Sequence, residues 1–269
     1  MRLPTTARHH EGGGSAPPEF AGKVAIVTGG GGVLGHAIAR AFARQGAEVA
    51  IAGRTRETLA RTAAAIEKEC GATALPIVAD VAQAPDCERM VTAAVDRFGA
   101  VDILVNNAAR FAVLPLIDAD AAEAARFFAV NAIGPLNGAR ALAKWAIEHG
   151  RGGAIVNVSS IAAGRPVPGL SLYSASKAAL ESLTRSMAVE WAGKGLRVNA
   201  VAPGHVKTEG VLEDFRTGRL DEAAMLARIP DGRIADGDDI ADAVLFLCSD
   251  RARHIIGHVL TVDGGEGFF

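Results

Sequence analysis

The feature that most constrains this chain of 269 residues is a regular alternation of short, β-branched apolar runs with longer helical stretches. Lys23–Thr28 (KVAIVT) opens the series, and Glu48–Ala52, Ala74–Val78, Val101–Val105, Ala154–Val158, Leu196–Ala202 and His258–Val262 continue it. Runs that are apolar on both faces suit parallel strands covered by helices on both sides. Helical patterns fill the intervals at 34–45, 56–69, 84–98, 119–149, 172–193 and 238–249. Such alternation implies βαβ units with right-handed crossovers. The expected fold is α/β, a single-domain, doubly wound, seven-stranded parallel sheet with helices on both faces. One long interval, 204–236, lacks a strand pattern, is polar and contains glycines. A connection of that length reads as a lid over a substrate.

Composition narrows the partners. Lys and Arg number 28 and Asp and Glu 30, so the net charge of −2 offers no basic footprint for nucleic acid. No run approaches the roughly 18 apolar residues of a membrane span. Cys70, Cys87 and Cys248 are far apart and form no CxxC or Cys/His cluster. They read as free thiols in a reducing, cytoplasmic setting, with neither a zinc site nor a disulfide framework. No His/Asp/Glu cluster has metal-site spacing, so no catalytic metal is expected. Residues 1–19, with His9, His10, Gly12 to Gly14 and the pair Pro17-Pro18, lack the apolar run of a signal peptide. They read as a disordered extension, leaving 20–269 as the folded unit.

The first strand is followed at once by Thr28-Gly29-Gly30-Gly31-Gly32-Val33-Leu34-Gly35 and then by a helical run. Glycines let backbone approach a ligand closely, and a helix N-terminus presents free N–H groups and partial positive charge to a pyrophosphate. Gly30-x-Gly32-x-x-Gly35 sits between strand and helix, the context that a dinucleotide-binding Rossmann turn requires. The second strand ends at Ala52-Gly53-Arg54, without the carboxylate that commonly binds an adenosine ribose about 20 residues past the glycines. Gly53 leaves room there and Arg54 supplies a cation suited to a phosphate. The reading favours NADP(H), with NAD(H) as the alternative.

Tyr173, the single tyrosine, stands four residues before Lys177 in a strongly helical segment. Residues i and i+4 share a helix face. A nearby ammonium favours a phenolate, so Tyr173 is expected to exchange a proton with a carbonyl or alcohol oxygen near neutral pH. The YxxxK spacing alone is common in surface helices.

Its company is not common. With the glycine turn at 28–35 come Asp80-Val81, Asn106-Asn107-Ala108-Ala109, Asn131, Ser159-Ser160, Tyr173-x-x-x-Lys177, Pro203-Gly204 through Thr208, and Val262-Asp263-Gly264-Gly265. In this order and spacing the chain, from Phe20 to Gly265, resembles the short-chain dehydrogenase/reductase family in its single-domain branch. The resemblance implies an oxidoreductase that moves a hydride between a nicotinamide cofactor and a ketone or secondary alcohol. It implies Tyr173 as general acid/base, Lys177 on the nicotinamide ribose and lowering the tyrosine pKa, and Ser160 on the substrate oxygen. Asn131 resembles the residue that orders a water beside the lysine. Gly29, Gly31, Gly32, Leu34 and Gly35 resemble the phosphate turn, Asp80 and Val81 the adenine contacts, and Asn107 the ribose contact. Val206 and Thr208 resemble the residues holding the nicotinamide amide and phosphate region.

There are departures. The family turn is TGxxxGxG, and its second glycine falls on Val33. Ala109 stands where glycine is commoner. Either the close approach shifts to Gly31 and Gly32, or Val33 is tolerated.

The loop Ile161–Leu172, with Ala162, Ala163, Gly164, Pro166, Val167, Pro168 and Leu170, leads into Tyr173 and is expected to line the substrate side. Phe111, His205 and 209–228 are the other candidate walls, and Arg110 a candidate specificity cation. The family resemblance also implies a homotetramer or dimer built partly from 119–149 and 172–193. The apolar Gly267-Phe268-Phe269 end suits such an interface. The competing readings are a non-catalytic dinucleotide-binding regulatory protein, against which Asn131, Ser160, Tyr173 and Lys177 argue, and a sugar-nucleotide epimerase or dehydratase, which needs a larger C-terminal domain. A methyltransferase would have no use for the YxxxK set.

Overall fold

A computed structural model describes residues 18–268. The extension expected at 1–19 therefore lies outside the described residues except for its last two, as does Phe269. Seven strands form one sheet: β1 (Val24–Thr28), β2 (Glu48–Gly53), β3 (Ala74–Val78), β4 (Ile103–Asn106), β5 (Gly153–Val158), β6 (Leu196–Pro203) and β7 (Val259–Val262). Their spatial order is β3-β2-β1-β4-β5-β6-β7, every pair parallel. This is the expected doubly wound sheet. The chain order reverses between β1 and β4, so the loops leaving their carboxyl ends diverge and open a crevice.

β1 illustrates why the sheet is covered on both faces. Its side chains alternate, as strand geometry requires. Val24 and Ile26 enter one core with Met90, Leu142 and Met187, whereas Ala25 and Val27 enter another with Ile38, Phe42 and Val244. The first core is roofed by α3 (Ala84–Phe98), α5 (Gly134–Glu148) and α6 (Ser171–Trp191). The second is roofed by α1 (Val33–Arg44) and α9 (Gly237–Cys248), with α2 (Arg56–Cys70) at the edge. Burying a Phe42-sized side chain contributes about 2–3 kcal/mol.

Two intervals differ from expectation. The stretch 119–149 is not one regular helix: α4 (Ala121–Phe128) runs through a π-helical turn, Ala129–Ile133, into α5. Pro135 has no N–H to continue an α-helical ladder there, and Asn131 is pulled out of register by bonds described below. The interval 204–236 carries two short helices, α7 (Glu209–Arg216) and α8 (Glu222–Leu226). Thr208 and Asp221 cap them by accepting from Val211 and Ala224 N–H.

A buried polar chain ties the sheet to α6. Asn106 Nδ2 donates to Asn157 Oδ1 at 2.9 Å, Asn157 Nδ2 donates to Thr184 Oγ1 at 2.8 Å, and Thr184 Oγ1 donates to the Leu180 carbonyl at 2.8 Å. All three side chains are buried. Each group orphaned in such a place costs about 1–3 kcal/mol. Asn157→Ala should therefore lower stability by about 2–4 kcal/mol in urea unfolding; a shift under about 0.5 kcal/mol would remove the chain from the account of α6 placement.

Candidate active site

The glycine turn sits at the crevice. Gly29 adopts φ +66°, and a side chain at Gly35 would run into the Gly29 carbonyl oxygen, so α1 can start only with glycine at both positions. Gly31 backs onto Thr58, whose Oγ1 would lie 2.6 Å from an added Cβ, whereas an added Cβ at Gly32 would make only an ordinary 3.5 Å contact with the Gly29 carbonyl oxygen. Val33 is 43% exposed and holds no packing position. Leu34, by contrast, packs on the core. Gly32 caps α1 without a side-chain bond, and no acidic residue occupies the first turn. The first N–H groups of a helix lack intrahelical acceptors. A cradle without side chains, ending in free donors, fits a pyrophosphate and hence a nicotinamide dinucleotide.

The other residues singled out for a cofactor follow the carboxyl ends of β2, β3, β4 and β6. Asn107 Nδ2 donates to the carbonyls of Thr28 and Gly29 at 2.9 and 3.3 Å, so its amide braces the turn. Arg54 is exposed just past β2 and makes no ion pair among the described residues. Asp80 Oδ1 caps its own turn through Ala82 N–H, and Val81 is buried against α3 and α5, its carbonyl accepting from Asn137. Val206 forms a parallel bridge with Ala235, and the Thr208 hydroxyl accepts from Val211 N–H.

Ser160, Tyr173 and Lys177 come together at the carboxyl end of β5. The Ser160 hydroxyl is near enough to the Tyr173 phenol to lower its pKa, and Ser160 Oγ accepts from Ala162 N–H. Lys177 Nζ lies 5.7 Å from the Tyr173 ring centroid and donates to the Val158 carbonyl at 2.7 Å. Asn131 joins them from the π-turn. Its Oδ1 accepts from Arg110 N–H at 2.7 Å, and its Nδ2 donates to the Arg110 carbonyl and to Ser176 Oγ, both at 2.9 Å. Ser176 Oγ in turn donates to the Tyr173 carbonyl.

The electrostatics correct one expectation. Burial raises the Tyr173 phenol above its ordinary value, against the opposing effect of the Ser160 hydroxyl. Lys177 does not offset this: its ammonium, pushed down by burial to about 8, is turned to the Val158 carbonyl and lies 5.7 Å from the phenol ring centroid. The phenolate that the i, i+4 spacing suggested near neutral pH is therefore not favoured in the protein alone.

Residues that sequence reasoning did not join form a second cluster. Glu266 is 1% exposed. Its carboxylate accepts from His205 Nδ1 at 2.9 Å and from His205 N–H at 3.2 Å, while Arg165 Nη1 donates to its carbonyl at 2.9 Å. His205 and Arg165 hold the Glu266 carboxyl below the usual range despite its burial. Glu266 thus fastens the substrate-side loop to the start of the 204–236 interval. Only an acid directly after Asp263-Gly264-Gly265 hinted at it. Among the described residues no three His, Cys, Asp or Glu side chains are grouped to hold a metal ion. Cys87 and Cys248 are buried free thiols, pushed up to about 11 and about 12 by desolvation.

The lysine yields a linkage prediction. Its folded pKa of about 8 lies below the ordinary 10.5, so between these values the unfolded chain binds the proton that the folded chain has lost. Apo wild type should gain about 2–3 kcal/mol over Lys177→Met as pH rises from 8 to 10. Denaturant midpoints at each pH measure it; parallel curves for the two proteins would refute it.

Comparison with known proteins identifies the family. The family described as Enoyl-(Acyl carrier protein) reductase matches residues 32–266. The chain is 39% identical over 246 residues to 2-(S)-hydroxypropyl-CoM dehydrogenase 3 of Xanthobacter autotrophicus, covering 90% of this chain and 96% of that one. It is 37% identical over 254 residues to a sorbitol dehydrogenase of Cereibacter sphaeroides, covering 91% and 97%. A crystal structure described as a short-chain alcohol dehydrogenase from Sinorhizobium meliloti 1021 superposes with a TM-score of 0.86 at 38% identity, over 93% of this chain and 98% of that one. Fold, glycine cradle and these relatives together show that the chain belongs to the short-chain dehydrogenase/reductase family and is an oxidoreductase of alcohol and carbonyl groups that uses a nicotinamide dinucleotide.

Proposed function

We propose that the protein interconverts a secondary alcohol and a ketone with NADP(H), and that Tyr173 transfers the proton. The observation that carries this reading is the Tyr173 phenol with Ser160 close enough to bias its titration and Lys177 Nζ 5.7 Å from its ring centroid. When bound, the nicotinamide supplies or accepts the hydride. In the reductive direction Tyr173 gives its hydroxyl proton to the oxygen of the substrate carbonyl. Ser160 donates to the same oxygen and stabilises its developing charge. Lys177 brings a cation to the phenol and donors for ribose hydroxyls. Asn131 holds the Arg110 backbone and, through Ser176, the Tyr173 backbone. Segment 204–236 closes over the substrate as a lid.

Burial keeps Tyr173 protonated at neutral pH, so reduction is ready to run there and oxidation must wait for the phenolate. Oxidative kcat should climb with pH from 7 to 10 while reductive kcat stays level or falls. Positioned proton transfer is worth about 10²- to 10⁴-fold, so Tyr173→Phe should lose at least about 100-fold in both directions. Retention of a tenth of wild-type turnover would end the assignment.

Arg54 supports NADP(H) over NAD(H). It is an exposed guanidinium just past β2, and a fork of donors matches a 2′-phosphate. Gly29, Gly31, Gly32, Leu34 and Gly35 would surround the pyrophosphate; Asp80, Val81 and Asn107 would lie by the adenosine, and Val206 and Thr208 by the nicotinamide. Arg54→Ala should lower kcat/KM for NADP(H) about 10-fold or more and leave NAD(H) within about two-fold. An unchanged ratio would remove Arg54 from cofactor choice.

The protein assembles as a homodimer or homotetramer through α5 and α6. Val189 on α6 is 82% exposed and Phe268 is 89% exposed, apolar surface that a second copy would cover. A monomer mass by light scattering would overturn this.

A further inference from the structure

Proton transfer leaves unused an apolar lip beside Tyr173. Between β4 and α4, Phe111, Val113, Leu116 and Ile117 are 62%, 71%, 61% and 94% exposed. Single apolar side chains in water are ordinary, but a cluster marks a binding site. This one adjoins the chemistry: the Phe111 ring meets Tyr173 edge to face, with centroids 5.2 Å apart and planes at 82°. It is also laced to the loop that leads into α6. Leu114 N–H donates to the Gly169 carbonyl at 2.8 Å, and Val113 leaves no room for a side chain at Gly169.

The charges nearby favour a neutral ligand. Arg110 is paired with Glu123, which also holds Arg126. Arg165 and His205 are both held by Glu266. Each of these basic side chains around the mouth already faces a carboxylate.

We propose that the substrate is an uncharged secondary alcohol, or the matching ketone, with an alicyclic or alkyl body, and that Phe111 is the specificity-determining residue packed against that body. This rests on the oxidoreductase reading above. In oxidation the carbinol C–H bond breaks with its electron pair passing to the nicotinamide as hydride. The O–H proton passes to the Tyr173 phenolate, which becomes the neutral phenol, and the C=O bond forms. Phe111 acts only on the part of the molecule that does not react.

Three probes separate the alternatives: cyclohexanol, D-sorbitol and 4-hydroxycyclohexanecarboxylate, each assayed with NADP+ and NAD+. One methylene in an apolar pocket is worth about 10-fold or more, so cyclohexanol should exceed D-sorbitol in kcat/KM by at least about 10-fold. It should also exceed the carboxylate. Phe111→Ser should lower the cyclohexanol value about 10-fold, through KM, leave the pH profile unmoved and change the sorbitol value less than two-fold. Preference for sorbitol or for the carboxylate, or an equal effect of Phe111→Ser on all three, would overturn the proposal. Saturation-transfer NMR with the cofactor present reads cyclohexanol binding without turnover. Binding lost in Phe111→Ser but with no alcohol oxidised would sink the oxidoreductase reading and keep the apolar site. Oxidation with binding that ignores Phe111 would do the reverse.

Discussion

Everything at the crevice depends on how the ends of β1 and β4 are held together. Thr28 Oγ1 donates to the Val105 carbonyl and accepts from the N–H groups of Asn107 and Ala108, while the Asn107 amide donates back to the Thr28 and Gly29 carbonyls. One hydroxyl and one amide thus satisfy the backbone where two strands part company. The glycine turn needs this support, because glycines lose the most freedom on folding. With its base clamped, the turn keeps an open face without side chains of its own.

The proton site follows a different logic. Its lysine is buried without a carboxylate partner among the described residues and donates to a carbonyl, an arrangement whose desolvation cost shows in the depressed pKa. Its tyrosine is displaced in the opposite direction. Both shifts favour the neutral form, yet a lysine near 8 keeps its proton at neutral pH, so the resting site holds one cation beside a neutral phenol. The pyridinium ring of an oxidised nicotinamide, bound beside the phenol, would bring positive charge that favours the phenolate.

Much of the architecture was legible because periodicity reports burial directly. The alternating strand runs placed all seven strands, and the glycines between β1 and α1 located the crevice. The spacing of Tyr173 and Lys177 put them on one helix face. What spacing could not convey was the direction of the tyrosine shift, which depends on where Nζ points. The π-turn at Asn131 was hidden because its cause, the Arg110 backbone, lies in another segment. Val33 was a departure from the family turn at the level of letters; as an exposed side chain at the start of α1 it displaces nothing. Glu266 carried no periodic signal, since its partners Arg165 and His205 are remote in the chain.

That remoteness has a bearing on biosynthesis. Glu266 follows Arg165 by 101 positions and His205 by 61. A nascent chain emerging from the ribosome can pair its first six strands while Arg165 and His205 still lack their carboxylate. In vectorial synthesis the electrostatic keystone of the mouth comes after the residues it will restrain.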